Sequence, residues 1–245
     1  MNDTFVFNPI GMVRSCFSEK FGIPRQPRLA PAARATMEIF PPYDQDEAFG
    51  GLEAFSHLWL VFVFHGIPKG CWRPTVRPPR LGGNRRTGVF ATRSGFRPNP
   101  IGMSAVVLEE IHRHQGRLLL ELSGIDLLDR TPVLDVKPYL PYSDIIPEAT
   151  GGFAAAPPRP WPSIEYTDRA RQACALLEST YPGFVDLLNQ VLGADPRPAY
   201  MDGHARTEFG VRLHGVNVRW THRQDTIVVH TIEVPADPPA LPEGV

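Results

Sequence analysis

Residues 103–123 read Met103-Ser-Ala-Val-Val-Leu-Glu-Glu-Ile-His-Arg-His-Gln-Gly-Arg-Leu-Leu-Leu-Glu-Leu-Ser123. Two runs rich in Val, Ile and Leu, Met103–His112 and Arg117–Ser123, flank His114-Gln-Gly116, a hairpin turn pattern. Working outward, His57–His65 (His-Leu-Trp-Leu-Val-Phe-Val-Phe-His) is aromatic and β-branched, as a buried central strand requires. Ala35–Phe40 alternates, Thr4–Val13 alternates more weakly, and Gly88–Thr92 and Thr131–Val136 complete a set of short strands. No helical period of any length precedes residue 150. The chain holds 27 Pro and 21 Gly in 245 residues, which excludes a helix bundle because proline removes a donor and breaks helices. Short strands at turn-punctuated intervals predict a mainly β fold, with a closed or nearly closed barrel at its centre.

Beyond residue 150 the pattern changes. Ala154-Ala-Ala-Pro-Pro-Arg-Pro-Trp-Pro162 reads as an extended linker. Tyr166–Tyr181 and Phe184–Leu192 carry apolar residues at helical spacing, with Pro182 suited to a first turn and Gly193 to a C-cap. Two alternating runs, Phe209–Thr221 and Thr226–Val234, read as a hairpin around His222–Asp225, and Pro235–Val245 as a fraying tail. The expected division is a barrel domain over 1–150, a proline-rich linker over 151–163 and a small α+β domain over 164–245. The N-terminus lacks the basic and apolar regions of a signal peptide, and the longest apolar run falls far short of a membrane helix, so a cytoplasmic location without membrane contact is expected. Cys16, Cys71 and Cys174 are odd in number and widely spaced, as free thiols are.

The formal net charge is −1, with 25 Lys and Arg against 26 Asp and Glu, which read whole argues against a histone-like or arm-type nucleic-acid binder and against an acidic solvating tail. The average hides segregation. Between Glu53 and Glu109 lie eight bases and no acid: Lys69, Arg73, Arg77, Arg80, Arg85, Arg86, Arg93 and Arg97. Between Glu19 and Glu38 lie Lys20, Arg25, Arg28 and Arg34, again without an acid. Such loops are either a solvated basic surface or a phosphate-binding one.

No dinucleotide-binding, phosphate-loop, zinc-protease or serine-elbow motif is present, and the eight His lack metal-ligand spacing, so no metal site is expected. His112 and His114, at the hairpin turn, are expected to be solvated. The densest segment, Arg86–Ser104, sets two arginines around Ser94-Gly-Phe96 and then a rigid Pro98-Asn-Pro100. Prolines that fix guanidinium groups suggest preorganised recognition of carboxylate or phosphate. In Asp126–Asp144, residues Asp135, Lys137 and Tyr139 alternate and so share one strand face. That row is either an exposed sheet face or the wall of a pocket able to exchange a proton.

Three stretches carry a resemblance: Phe21-Gly-Ile-Pro-Arg-Gln-Pro-Arg-Leu29, Gly88–Ser104, and Asp129-Arg-Thr-Pro-Val-Leu-Asp-Val-Lys-Pro-Tyr139. Residues 5–150 resemble the TrmO (TsaA-like, YaeB, VirR) family of S-adenosylmethionine-dependent tRNA methyltransferases. The C-terminal part, including Asp195-Pro-Arg-Pro-Ala-Tyr200, resembles that of bacterial members. The resemblance implies a small single-sheet β-barrel working as a homodimer, and methylation of N6 of threonylcarbamoyl-adenosine at tRNA position 37. It implies that Pro24, Arg25, Gln26, His65, Gly66, Arg93, Met103, Asp129, Arg130, Thr131 and Pro132 hold S-adenosylmethionine. Arg73, Arg77, Arg80, Arg85, Arg86 and Arg97 would grip the anticodon stem-loop. Asp135 or Tyr139 would be the base, with Lys137 lowering a neighbour's pKa or pairing with a substrate anion. Family members often carry His-Gln where this chain has His65-Gly66, and Asp-Gly-Thr-Pro where it has Asp129-Arg-Thr-Pro132. A non-catalytic tRNA- or cofactor-binding regulatory barrel, and a methyltransferase for another small acceptor, are the competing readings.

Overall fold

A computed structural model describes residues 4–158, 163–197, 208–223 and 226–234. In chain order the first part holds strands β1 (Gly11–Ser15) and β2 (Arg34–Ile39), the four-residue helix α1 (Asp46–Phe49), and strands β3 (His57–Val63), β4 (Thr75–Val76) and β5 (Thr87–Gly88). Strands β6 (Ile101–His114), β7 (Arg117–Ser123) and β8 (Thr131–Pro138) follow, then the short helix α2 (Pro141–Asp144). Six strands close a barrel in the order β1-β2-β7-β6-β3-β8, every neighbouring pair antiparallel. Closure removes the unpaired edges that a small open sheet would expose.

Alternation decides the inside. Leu58, Leu60 and Phe62 of β3 are buried, while Trp59, Val61 and Val63 between them face outward. Leu118, Leu120 and Leu122 of β7 and Val106 of β6 fill the same interior. Each fully buried leucine stabilises by roughly 1.5–3 kcal/mol. The hairpin β6–β7 turns on Gln115 and Gly116, both at positive φ, as a tight two-residue turn demands. Where β3 meets β8 the register slips between Val61 and Phe62, which pair with Asp135 and Val133 and leave Leu134 as an extra residue.

The second part holds β9 (Ser163–Tyr166), α3 (Asp168–Thr180), α4 (Phe184–Gly193), β10 (Glu208–Leu213), β11 (Val216–Arg223) and β12 (Thr226–Glu233). The sheet runs β10-β11-β12-β9, with β9 parallel to β12. Thr167 caps α3, its hydroxyl accepting from Ala170 N at 3.3 Å. Trp220 is fully buried, its ring 4.8 Å from that of Phe209.

Several expectations are corrected. Phe209–Thr221 is two strands, because His214 and Gly215 both take positive φ and turn the chain. Tyr166 ends a strand rather than starting α3. The first strand starts only at Gly11; Phe5, Val6 and Phe7 are exposed, with no strand to pair them. Val89–Ala91 is a 3₁₀ turn, with only Thr87 and Gly88 in strand. His112 and His114 are half-buried rather than fully solvated: His112 Nε2 lies 3.1 Å from Glu121 Oε1, and His114 Nε2 is buried. Residues 159–162 of the linker, the close of the Asp195–Tyr200 motif and the tail from 235 lie outside the described residues.

One apolar cluster runs from the barrel into the second sheet. Its seam is tied by backbone groups. Cys16 O accepts from His214 N at 2.9 Å, Gln190 Oε1 accepts from Ala32 N at 2.8 Å and Glu19 Oε1 accepts from Arg212 N at 3.2 Å. Gly22, at φ +92°, lies so close to Val211 that a Cβ would meet its Cγ2 at 2.3 Å. These contacts hold the segment from Cys16 to Ala33 that supplies one wall of the site.

Candidate active site

A cavity of about 470 Å³ opens at one end of the barrel. Its walls are the loop around Lys20–Gln26, the end of β3 through Ile67, the Thr92–Arg97 loop, the start of β6, and Asp126–Leu128 with Thr131. Met103 and Ile101 are exposed at the rim, while Ser104 and Phe62 are buried at the inner end. The volume falls in the range of small-molecule sites, and the lining mixes phenyl rings with a few convergent polar groups.

Eight of the residues assigned to the cofactor line this cavity: Pro24, Arg25, Gln26, His65, Gly66, Arg93, Met103 and Thr131. They come from five separate stretches of chain, and the closed barrel brings them together. Arg93 donates through Nη1 to Gln26 Oε1 at 2.6 Å, joining two of the stretches. Arg25 Nη2 donates to Arg197 O at 3.1 Å, so the C-terminal part positions this arginine. Burial lowers the Arg25 guanidinium pKa, Asp195 raises it, and Arg80 lowers it further. Thr131 Oγ1 donates to Leu128 O at 2.6 Å and lies 3.5 Å from His65 Nδ1.

Asp129, Arg130 and Pro132 do not line the cavity. The Asp129 carboxylate accepts from Ser15 N at 3.0 Å, and its own N–H donates to Phe17 O, so it pins the turn to β1. Arg130 sits at φ +62°, a conformation that suits glycine. This gives a physical reason for a glycine at that point of the related Asp-Gly-Thr-Pro pattern. At Gly66 an added Cβ would lie 2.8 Å from Lys20 Cε and 3.3 Å from Leu128 Cδ2. Lys20 fills the space a side chain there would need, and its Nζ donates to Gly66 O at 2.5 Å.

The row Asp135, Lys137 and Tyr139 lies on the outer face of the barrel, not among the cavity-lining residues. Asp135 and Lys137 pair in register with the outward Val61 and Trp59, and form an ion pair at 2.8 Å. The Tyr139 ring packs 5.6 Å from Trp59. The sequence reading missed Lys20, Ser104 and Asp126. Ser104 Oγ donates to Asp126 Oδ1 at 2.6 Å, and burial pushes the Asp126 carboxyl up to about 6, against the opposing hydroxyl, its own backbone N–H and the Arg93 charge.

The basic loop lies beside this cavity. Arg77, Arg85 and Arg86 are exposed, and Arg80 donates to Ala156 O. Arg73 stacks over Phe96 at 4.7 Å. Arg97 was assigned to nucleic acid, yet it lines the cavity and donates to Thr92 O at 2.7 Å and Val89 O at 3.2 Å, bracing its own loop. Among the described residues none of the eight bases from Lys69 to Arg97 forms an ion pair, so their charge is available to an external anion. Among the described residues no group of three His, Cys, Asp or Glu is placed to hold a metal ion, and no helix is long and apolar enough to cross a membrane.

The sequence model of the tRNA-methyltransferase O N-terminal domain matches residues 12–145, and that of the TrmO C-terminal domain matches residues 160–235. A protein of Escherichia coli named tRNA (adenine(37)-N6)-methyltransferase is 49% identical over 218 residues, covering 89% of this chain and 93% of that one. A Pseudomonas aeruginosa protein named as a putative S-adenosylmethionine-dependent methyltransferase is 51% identical over 92% of this chain and 96% of its own length. The crystal structure of TrmO from P. aeruginosa superposes with a TM-score of 0.78 at 44% identity, over 95% of this chain and 99% of that one.

Proposed function

This chain belongs to the tRNA-methyltransferase O family, and we infer from that membership and from the cavity that it is an S-adenosylmethionine-dependent methyltransferase acting on N6 of adenine 37 in tRNA. The observation that carries the reading is the convergence of Pro24–Gln26, His65-Gly66, Arg93 and Met103 on one cavity beside an unpaired basic loop. The names of the relatives do not favour a non-catalytic barrel.

The residues fit the cofactor by the chemistry of their side chains. S-adenosylmethionine supplies an electrophilic methyl group when bound. Arg93, held by Gln26, offers a guanidinium to a carboxylate, and the Phe62 and Phe64 rings offer an apolar wall. Backbone groups of Pro24–Gln26 and His65-Gly66 can read the edge of a base without depending on side chains. Gly66 therefore serves as well as the glutamine of relatives, with Lys20 supplying the missing bulk. Holding donor and acceptor in line is worth up to about 7–11 kcal/mol of barrier. The exposed arginines Arg77, Arg85 and Arg86, with Arg73 and Arg80, would place the RNA by its phosphates.

The finer assignments rest on the family resemblance. The acceptor is the urea-like N6 of threonylcarbamoyl-adenosine, a poor nucleophile until deprotonated, in the anticodon stem-loop. Asp135 or Tyr139 takes that proton, with Lys137 tuning it. Since the row lies on the outer face of the barrel, this role requires a homodimer that sets one protomer's row against the other's cavity. The work takes place in the cytoplasm.

Transfer of labelled methyl from S-adenosylmethionine to tRNA lacking the modification tests the reading. Label recovered in an N6-methylated nucleoside is the expected result. Label absent from RNA, with the cofactor bound normally, refutes it. Asp135→Asn or Tyr139→Phe, whichever removes the base, is expected to abolish transfer while leaving cofactor affinity unchanged.

A further inference from the structure

Among the described residues Asp126 is the only acid lining the cavity, against the cationic Lys20, Arg25, Arg93 and Arg97. It stands at the inner end, because its Oδ1 accepts from Ser104, which is 1% exposed. No basic side chain bonds it among the described residues. The Ser104 hydroxyl stabilises the ionised form through Oδ1 but does not neutralise its charge. Here the charge is kept at a cost: burial opposes ionisation, as the raised carboxyl pKa records. A charge held where the fold disfavours it, and facing a cavity, marks a binding group.

The neighbouring acid shows the contrast. Asp129, three residues on, gives its carboxylate to Ser15 N and does not line the cavity. Asp126 shares the cavity with Arg93, close enough that the Arg93 charge lowers its pKa. One cation and one anion facing the same space are the complement of an α-amino acid zwitterion. The ammonium brings N–H donors, which a carboxylate oxygen needs and a sulfonium lacks. The methyl-bearing sulfur must also lie toward the rim, where the RNA arrives, which leaves the inner end for another group.

We propose that Asp126, oriented by Ser104, receives the α-ammonium of the cofactor's amino acid end, with Arg93 opposite its carboxylate. The assignment rests on the cofactor reading above.

Calorimetric titration separates the possibilities without relying on turnover. S-adenosylhomocysteine carries the ammonium and no sulfonium; 5′-methylthioadenosine carries neither the amino acid nor a charge. Asp126→Asn is expected to weaken S-adenosylhomocysteine by about tenfold or more, and 5′-methylthioadenosine by less than about twofold. The charged and titratable groups sharing the cavity are Lys20, Arg25, His65, Arg93 and Arg97. All five are kept in this variant, so any fall in affinity on acidification that is present in the wild type and lost in Asp126→Asn belongs to Asp126. Ser104→Ala removes a donor to the ionised form, and the midpoint of that fall is expected to move to higher pH. Equal binding of S-adenosylhomocysteine by Asp126→Asn and wild type overturns the assignment, and so does an equal loss of both ligands. If Asp126→Asn does not fold, an unmoved midpoint in Ser104→Ala overturns it. A wild type that binds neither ligand refutes the cofactor reading itself, and the assignment falls with it.

Discussion

Replacing Asp126 by Asn makes a prediction about stability that a purely structural role would not. The folded carboxyl titrates at about 6, above its ordinary value of 3.8. The folded protein therefore binds this proton more tightly than the unfolded chain does. Stability is lost as pH rises between those two values, and the penalty is complete above the upper one. About two pKa units at 1.36 kcal/mol each give a ceiling of about 3 kcal/mol. Asp126 keeps some contact with solvent through the cavity, so roughly 1–3 kcal/mol is the expected range. Asn cannot ionise and still accepts from Ser104. The variant should match the wild type near pH 4 and exceed it at pH 7.5, by roughly 3–9 °C in Tm for a chain of this size. Thermal unfolding at a series of pH values in the absence of cofactor measures this. A variant less stable than wild type at pH 7.5, by an amount independent of pH, would show that Asp126 braces the barrel and would refute the reasoning.

Other outcomes follow from particular contacts. Gly22→Ala adds a methyl 2.3 Å from Val211 Cγ2 at a φ of +92°, and should cost roughly 1–3 kcal/mol in denaturant unfolding. Arg130→Gly relieves a left-handed residue outside the cavity and should raise the urea midpoint by the equivalent of roughly 0.5–1 kcal/mol, with S-adenosylmethionine affinity unchanged. If about six bases contact phosphate, tRNA affinity should fall with a log–log salt slope of roughly −4 to −5, and Arg77→Gln with Arg85→Gln should flatten it by about one unit per lost contact. Filter binding across a salt series checks both values.

The barrel was legible because its strands state their own pattern. The β6–β7 hairpin is legible in Met103–Ser123, and β3 in its alternation, since one buried face imposes a period of two wherever it occurs. The C-terminal hairpin was misjudged at His214-Gly215, where the chain reverses through positive φ at a residue type that rarely announces it. Phe5–Phe7 alternates without a neighbour, and alternation alone does not supply a pairing partner. For the site, the motifs located eight lining residues but not the acid that matters to the cavity. Asp126 and Asp129 look alike in sequence. Only the contact between Asp129 and Ser15, 114 residues apart, removes the second from the cavity and leaves the first. The place of Arg97 at the cavity is hidden for the same reason, because the carbonyls it braces are brought to it by a loop fold that composition does not encode. The charge balance misleads most simply: an average near zero is compatible with a basic loop that no acid neutralises.

Nucleoside mass spectrometry of tRNA tests the central claim most directly. In cells lacking this gene, the N6-methylated form of the position 37 adenosine should disappear and its unmethylated precursor accumulate, and the wild-type gene should reverse both changes. An unchanged level of the methylated nucleoside would contradict the assignment of this cavity to tRNA methylation.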